Sequence, residues 1–101
     1  MSGTPASSNI ECEIVEIMAA GYDKFQAWRA ANPEKNWVEM FMSLMNDTAR
    51  LIKEAKIRAI QADGYAEFQA WRAANPEKNY VGKLMSLTEY TARLIEEVKL
   101  S

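Results

Sequence analysis

Phe25-Gln26-Ala27-Trp28-Arg29-Ala30-Ala31-Asn32-Pro33-Glu34-Lys35-Asn36 recurs letter for letter as Phe68 to Asn79. Each copy reads as the end of one helix and the start of another. Proline drives the residue before it out of the α region and is tolerated only in a helix's first turn. Asparagine is a preferred N-cap, so Asn32-Pro33 and Asn75-Pro76 are predicted to be the cap and first residue of a new helix. The chain is then a set of helices joined at two like corners.

Upstream of the first corner, apolar residues at Ile10, Ile14, Ile17, Met18, Phe25 and Trp28 follow steps of three and four. That is the period of one helix face, and its phase runs through Gly21 without a reset. Ser8-Asn9-Ile10-Glu11 has the form of a capping box and marks the start. Residues 1–8, small and polar with one proline, read as a flexible tail. Between the corners a heptad-like stripe of Val38, Phe41, Met45, Thr48, Ile52, Ala55 and Ala59 predicts a second helix. Asp63-Gly64 could cap this helix. Equally, Ile57, Ile60, Phe68 and Trp71 keep phase across Gly64, and continuation to Ala74 with a bend at the glycine, about 63 Å from Pro33 at 1.5 Å per residue, is the favoured of the two readings. A last helix carries Tyr80, Val81, Leu84, Leu87, Thr91, Leu94, Ile95 and Val98. Glu54 with Arg58 and Glu89 with Arg93 have the i to i+4 spacing of surface ion pairs.

Gly21 to Ile52 matches Gly64 to Ile95 at 23 of 32 positions, an offset of 43 residues. The fold class implied is all-α: long amphipathic helices from an internal tandem duplication, with repeats at about 10–52 and 53–101 of a single helical domain spanning 9–101. Two helical repeats are fewer than a free-standing solenoid needs, so an antiparallel helical bundle completed by a homodimer is expected.

Composition narrows the function. There is no histidine, which removes the commonest general base and metal ligand, and a lone Cys12 cannot build a multi-thiolate site. No catalytic, cofactor or metal constellation is found, and no cofactor is expected; Glu11, Glu13, Glu16 and Glu54 read as a solvated face. Net charge is −2 with both signs interleaved, so nucleic acid is an unfavoured partner. The sequence contains no apolar run of transmembrane length and no signal-peptide pattern, and a cytoplasmic protein with a reduced thiol is the expectation.

The two copies are unevenly alike. The corner stretch agrees at all 12 positions, whereas Trp37 to Asp47 agrees with Tyr80 to Tyr90 at 4 of 11. One explanation is local: the polar corner residues make hydrogen bonds the corner needs, or the differences of a recent duplication cluster by chance. The other is functional: Trp28, Arg29, Asn32, Glu34 and Lys35, with Trp71, Arg72, Asn75, Glu77 and Lys78, form two copies of one partner-binding surface. Tryptophan and arginine are the types most enriched at binding hot spots, and two linked copies suit a repetitive or dimeric protein partner.

Tyr22, Phe25 and Trp28, like Tyr65, Phe68 and Trp71, make an aromatic stripe that reads as core, and Met40, Met42 and Met45 read as core filler. The function expected is a non-enzymatic scaffold or adaptor. One alternative is a coat of amphipathic helices on a lipid or polymer granule, for which the alanine- and aromatic-rich texture looks like that of phasins without any motif specific to them. Another is a small inhibitor of a larger complex. Exposed Phe25 and Trp28 would favour the coat, and buried rings beside exposed Arg29 and Lys35 the adaptor.

Overall fold

The computed structural model describes residues 9–101; the tail reading for 1–8 and the part of Ser8 in the capping box lie outside them. Three helices account for nearly all of this range: α1 (Ile10–Ala31), α2 (Val38–Ala74) and α3 (Val81–Leu100). No strand occurs among the described residues. Asn9 caps α1 without a side-chain hydrogen bond.

Both α1 and α2 are continuous through their glycines, as the unbroken apolar phase allows. The glycines serve helix packing. A Cβ built on Gly21 would stand 2.5 Å from Thr48 Oγ1, and one on Gly64 would stand 2.8 Å from Thr91 Oγ1. Each glycine is a point of close approach between two helices of a hairpin.

α2, about 55 Å long at 1.5 Å per residue, is shared by two hairpins. α1 packs on it on one side and α3 on the other, and α1 and α3 do not pack on each other. The helical period explains this. Thr48 meets α1 and Gly64 meets α3, and 16 residues at 100° each is about 160° of rotation around α2. The result is a single layer of helices, 68 × 31 × 13 Å in its Cα extents. The chain alone does not close into the expected bundle.

A layer one helix thick buries little. Phe25, Ala55, Ala59 and Leu87 are the buried residues among those described. Ala55 and Ala59 sit mid-way along α2, where the ends of both outer helices reach it. There Arg58 donates to Glu13 Oε1 of α1 at 2.8 Å, and Lys53 Nζ donates to the Lys99 carbonyl of α3 at 3.4 Å. The expected Glu54–Arg58 pair is therefore not made: Glu54 bonds Arg50 at 3.1 Å, while Arg58 spans two helices. Glu89 and Arg93 form no ion pair among the described residues, and Glu13 and Glu54 are engaged, not merely solvated.

Candidate functional site

The two corners are the same object built twice. Asn32 is the C-cap of α1 with φ −134° and ψ 58°, and Asn75 is the C-cap of α2 with φ −133° and ψ 57°. Neither starts a helix, which corrects the N-cap assignment. Each side-chain amide is spent backwards: Asn32 Nδ2 donates to the Trp28 carbonyl and Asn75 Nδ2 to the Trp71 carbonyl, both at 2.9 Å. The proline then places its neighbour outside the α region, and a turn follows in which Lys35 N donates to Asn32 O and Lys78 N to Asn75 O at 3.1 Å. The next helix is held by Asn36 and Asn79, whose Oδ1 atoms accept from Val38 N and Val81 N at 2.9 Å. Asparagine is among the best side chains for this task, so the signal was present one turn later than the Asn-Pro step.

Above each turn an arginine lies on aromatic rings. The Arg29 guanidinium carbon is 5.8 Å from the centroids of both Phe25 and Trp37, and that of Arg72 is 6.0 Å from Phe68 and 5.0 Å from Tyr80. Cation–π contacts at exposed sites contribute about 0.5–1 kcal/mol each. Phe25, Trp37 and Phe41 form a three-ring edge-to-face cluster with centroids 5.2–5.9 Å apart. In the second corner only Phe68 and Tyr80 meet, at 6.0 Å, because Leu84 stands where Phe41 does.

Of the ten corner residues expected to bind a partner, Trp28, Trp71, Asn32 and Asn75 are half-buried, and both asparagine side chains work inside the corner. Arg29 and Arg72 are exposed over their rings. Glu34, Lys35, Glu77 and Lys78 are exposed and enter no ion pair. The corners stand at opposite ends of α2, so they are brought together neither in space nor in direction. Between Arg72, Asn75, Lys78 and Tyr80 the second corner encloses a shallow depression of about 350 Å³.

A pair of grooves was missed in the sequence. In the first hairpin a groove of about 330 Å³ runs between α1 and α2, and in the second one of about 340 Å³ runs between α2 and α3. Every lining residue of one has its counterpart 43 positions away in the other. Gly21, Tyr22, Phe25, Leu44, Thr48, Ala49 and Ile52 recur as Gly64, Tyr65, Phe68, Leu87, Thr91, Ala92 and Ile95. Met18, Phe41 and Met45 are replaced by Gln61, Leu84 and Thr88. Met45 and Tyr22 are therefore not core: they are 54% and 62% exposed. Periodicity put them on an apolar face correctly, but nothing among the described residues covers that face.

The grooves open on opposite faces of the layer. On α2 the first uses Met45, Thr48, Ala49 and Ile52, and the second uses Gln61, Gly64, Tyr65 and Phe68, each 16 residues further on. The same rotation of about 160° that separates α1 from α3 separates the grooves. On the reverse of the first hairpin the same two helices present Glu13, Glu16, Lys24 and Asp47. Those charges stand around Ile17, Ala20, Leu44 and Leu51, so the reverse is mixed where the first groove carries no charge.

Among the described residues no group of three or more acidic or thiol side chains is placed to hold a metal ion, and no helix is long and apolar enough to cross a membrane. No protein-family model, curated protein or solved structure matches this chain.

Proposed function

We propose that the chain is a non-enzymatic interaction scaffold of the cytoplasm, a homodimer built on a duplicated hairpin, that presents its two equivalent corners to a protein partner. The observation that carries this reading is the pair Glu34-Lys35 with its twin Glu77-Lys78. These side chains are identical in the two copies yet exposed and unpaired, so the corner's own architecture gives no reason for them. Beside them the Trp28-Arg29 and Trp71-Arg72 pairs offer a flat cation on an aromatic bed, a surface type suited to a protein partner. Phe25 is buried and Trp28 half-buried while Arg29 and Lys35 are exposed, the pattern that favours an adaptor over a coat. A planar granule surface could also engage only one of two grooves that face opposite ways. Blocking a larger complex is one use such a scaffold could have.

The test is a pull-down with three proteins of equal helicity by circular dichroism: wild type, Arg29→Ala/Arg72→Ala, and Glu34→Ala/Lys35→Ala/Glu77→Ala/Lys78→Ala. A protein captured by wild type and lost with both variants supports the corners as its docking site. Variants of a single corner should retain capture weakly, because a second linked site raises apparent affinity by about 10²-fold or more when both engage. An unchanged set of bands with the quadruple variant refutes the reading.

A further inference from the structure

We infer that the apolar groove of the first hairpin is the face on which a second copy of this chain docks, front to front. The inference rests on the homodimeric scaffold reading and names the surface involved. A folded monomer of 11.5 kDa exposes about 5,800 Å², whereas this chain exposes 7756 Å². Setting aside as much as ~1,000 Å² for the eight residues outside the described range still leaves an excess of roughly 950 Å². A standard interface takes about 800 Å² from each partner. The surplus is the size of one dimer face.

Its position follows from the comparison of the twin grooves. They share a floor, and they differ where side chains rise from the rim: Met18, Phe41 and Met45 in the first against Gln61, Leu84 and Thr88 in the second. Val15, one turn before Met18 and 64% exposed, extends the apolar face, and its counterpart is Arg58. No charged residue lines the first groove, so closing it leaves no lining charge without water. The reverse of the same hairpin sets Glu13, Glu16, Lys24 and Asp47 around its apolar residues, and closing it would strip water from those charges, so it is not a second such face. One self-complementary face gives a closed two-fold dimer, not an open stack. In that dimer the second grooves face outward and all four corners remain accessible.

The experiment is size-exclusion chromatography with light scattering, and sedimentation equilibrium, on the full chain. Wild type is expected at 23 kDa, twice 11.5 kDa, at tens of micromolar or below. Met18→Gln/Met45→Thr gives the first groove two of the three rim residues of its twin. It should raise the dimer dissociation constant by about a hundredfold or more, with unchanged helicity. Met18→Leu/Met45→Leu should remain dimeric. Val15→Glu, at a position too exposed to affect folding, should also dissociate the dimer, since the two-fold sets like charges on one apolar face. A wild-type monomer at 100 μM, in solution or floating with phosphatidylcholine vesicles, overturns the inference. So does a dimer whose constant is unmoved by both Met18→Gln/Met45→Thr and Val15→Glu. If the quadruple corner variant captures the same proteins as wild type but these variants dissociate the dimer, the adaptor reading falls and the dimer face stands.

Discussion

Replacing Gly21 by alanine sets two effects of known size against each other. In a helix interior alanine is favoured over glycine by about 1 kcal/mol. Here the new Cβ would stand 2.5 Å from Thr48 Oγ1 and 3.7 Å from Thr48 Cβ. Relieving that overlap requires threonine to leave its rotamer or the helices to part, and overpacking of this kind costs about 1–3 kcal/mol. The expected net loss for Gly21→Ala is about 1 kcal/mol. Thr48→Ala removes the offending oxygen but keeps Cβ at an ordinary contact distance, so Gly21→Ala/Thr48→Ala should be about 1 kcal/mol more stable than Thr48→Ala alone. Gly82, with nothing within 4 Å of its would-be Cβ, supplies the control, and Gly82→Ala should stabilise by about 0.5 kcal/mol. Urea unfolding followed by circular dichroism, at one protein concentration, measures all four. If Gly21→Ala is as stabilising as Gly82→Ala, the close approach is not holding α1 and α2 together.

The capping role of Asn36 predicts that Asn36→Ala lowers stability by about 1 kcal/mol, and Asn79→Ala by the same amount, read from urea midpoints. Equal loss from Pro33→Ala and none from Asn36→Ala would restore the N-cap to the Asn-Pro step. The unequal ring clusters predict that Phe25→Ala costs about 3–5 kcal/mol, the range for a buried phenylalanine. Phe68→Ala, at a half-buried ring with one aromatic neighbour, should cost at least 1 kcal/mol less. Comparable thermal midpoints for the two variants would contradict that ordering.

The continuity of α1 and α2 was only half legible: their apolar phase passes Gly21 and Gly64 unbroken, but Asp63-Gly64 is also a sound helix end, and only the structure decides between them. The corners were legible because proline disrupts a helix interior. Which asparagine holds which helix was not. Asn32 and Asn36 are equally good caps on paper, and only the geometry shows Asn32 turned back onto the Trp28 carbonyl and Asn36 forward onto Val38 N. The grooves escaped notice for another reason. Met18, Tyr22 and Met45 occupy positions that a second layer would bury, and sequence periodicity does not count layers. Arg58 likewise had a partner at i−4 in sequence, and found a better one on α1.

What the two copies hold in common and where they part bear on function differently. Asn32, Asn36, Arg29 and the Gly21–Thr48 contact are repeated because each corner and each helix crossing needs them, so their identity says little about a partner. The rim changes at Met18/Gln61 and Met45/Thr88 lie at exposed positions, where either residue is compatible with the helix, so neither is dictated by the fold. Divergence at such positions is free to follow what each hairpin meets outside itself, and this is the basis of the dimer face proposed for the first. Identity is informative only where the fold makes no use of it, and in the corner stretch that condition falls on Glu34 and Lys35 with their twins. The quadruple alanine variant therefore weighs more than the arginine pair: it removes nothing the corner stands on, so a lost partner can only be a lost contact.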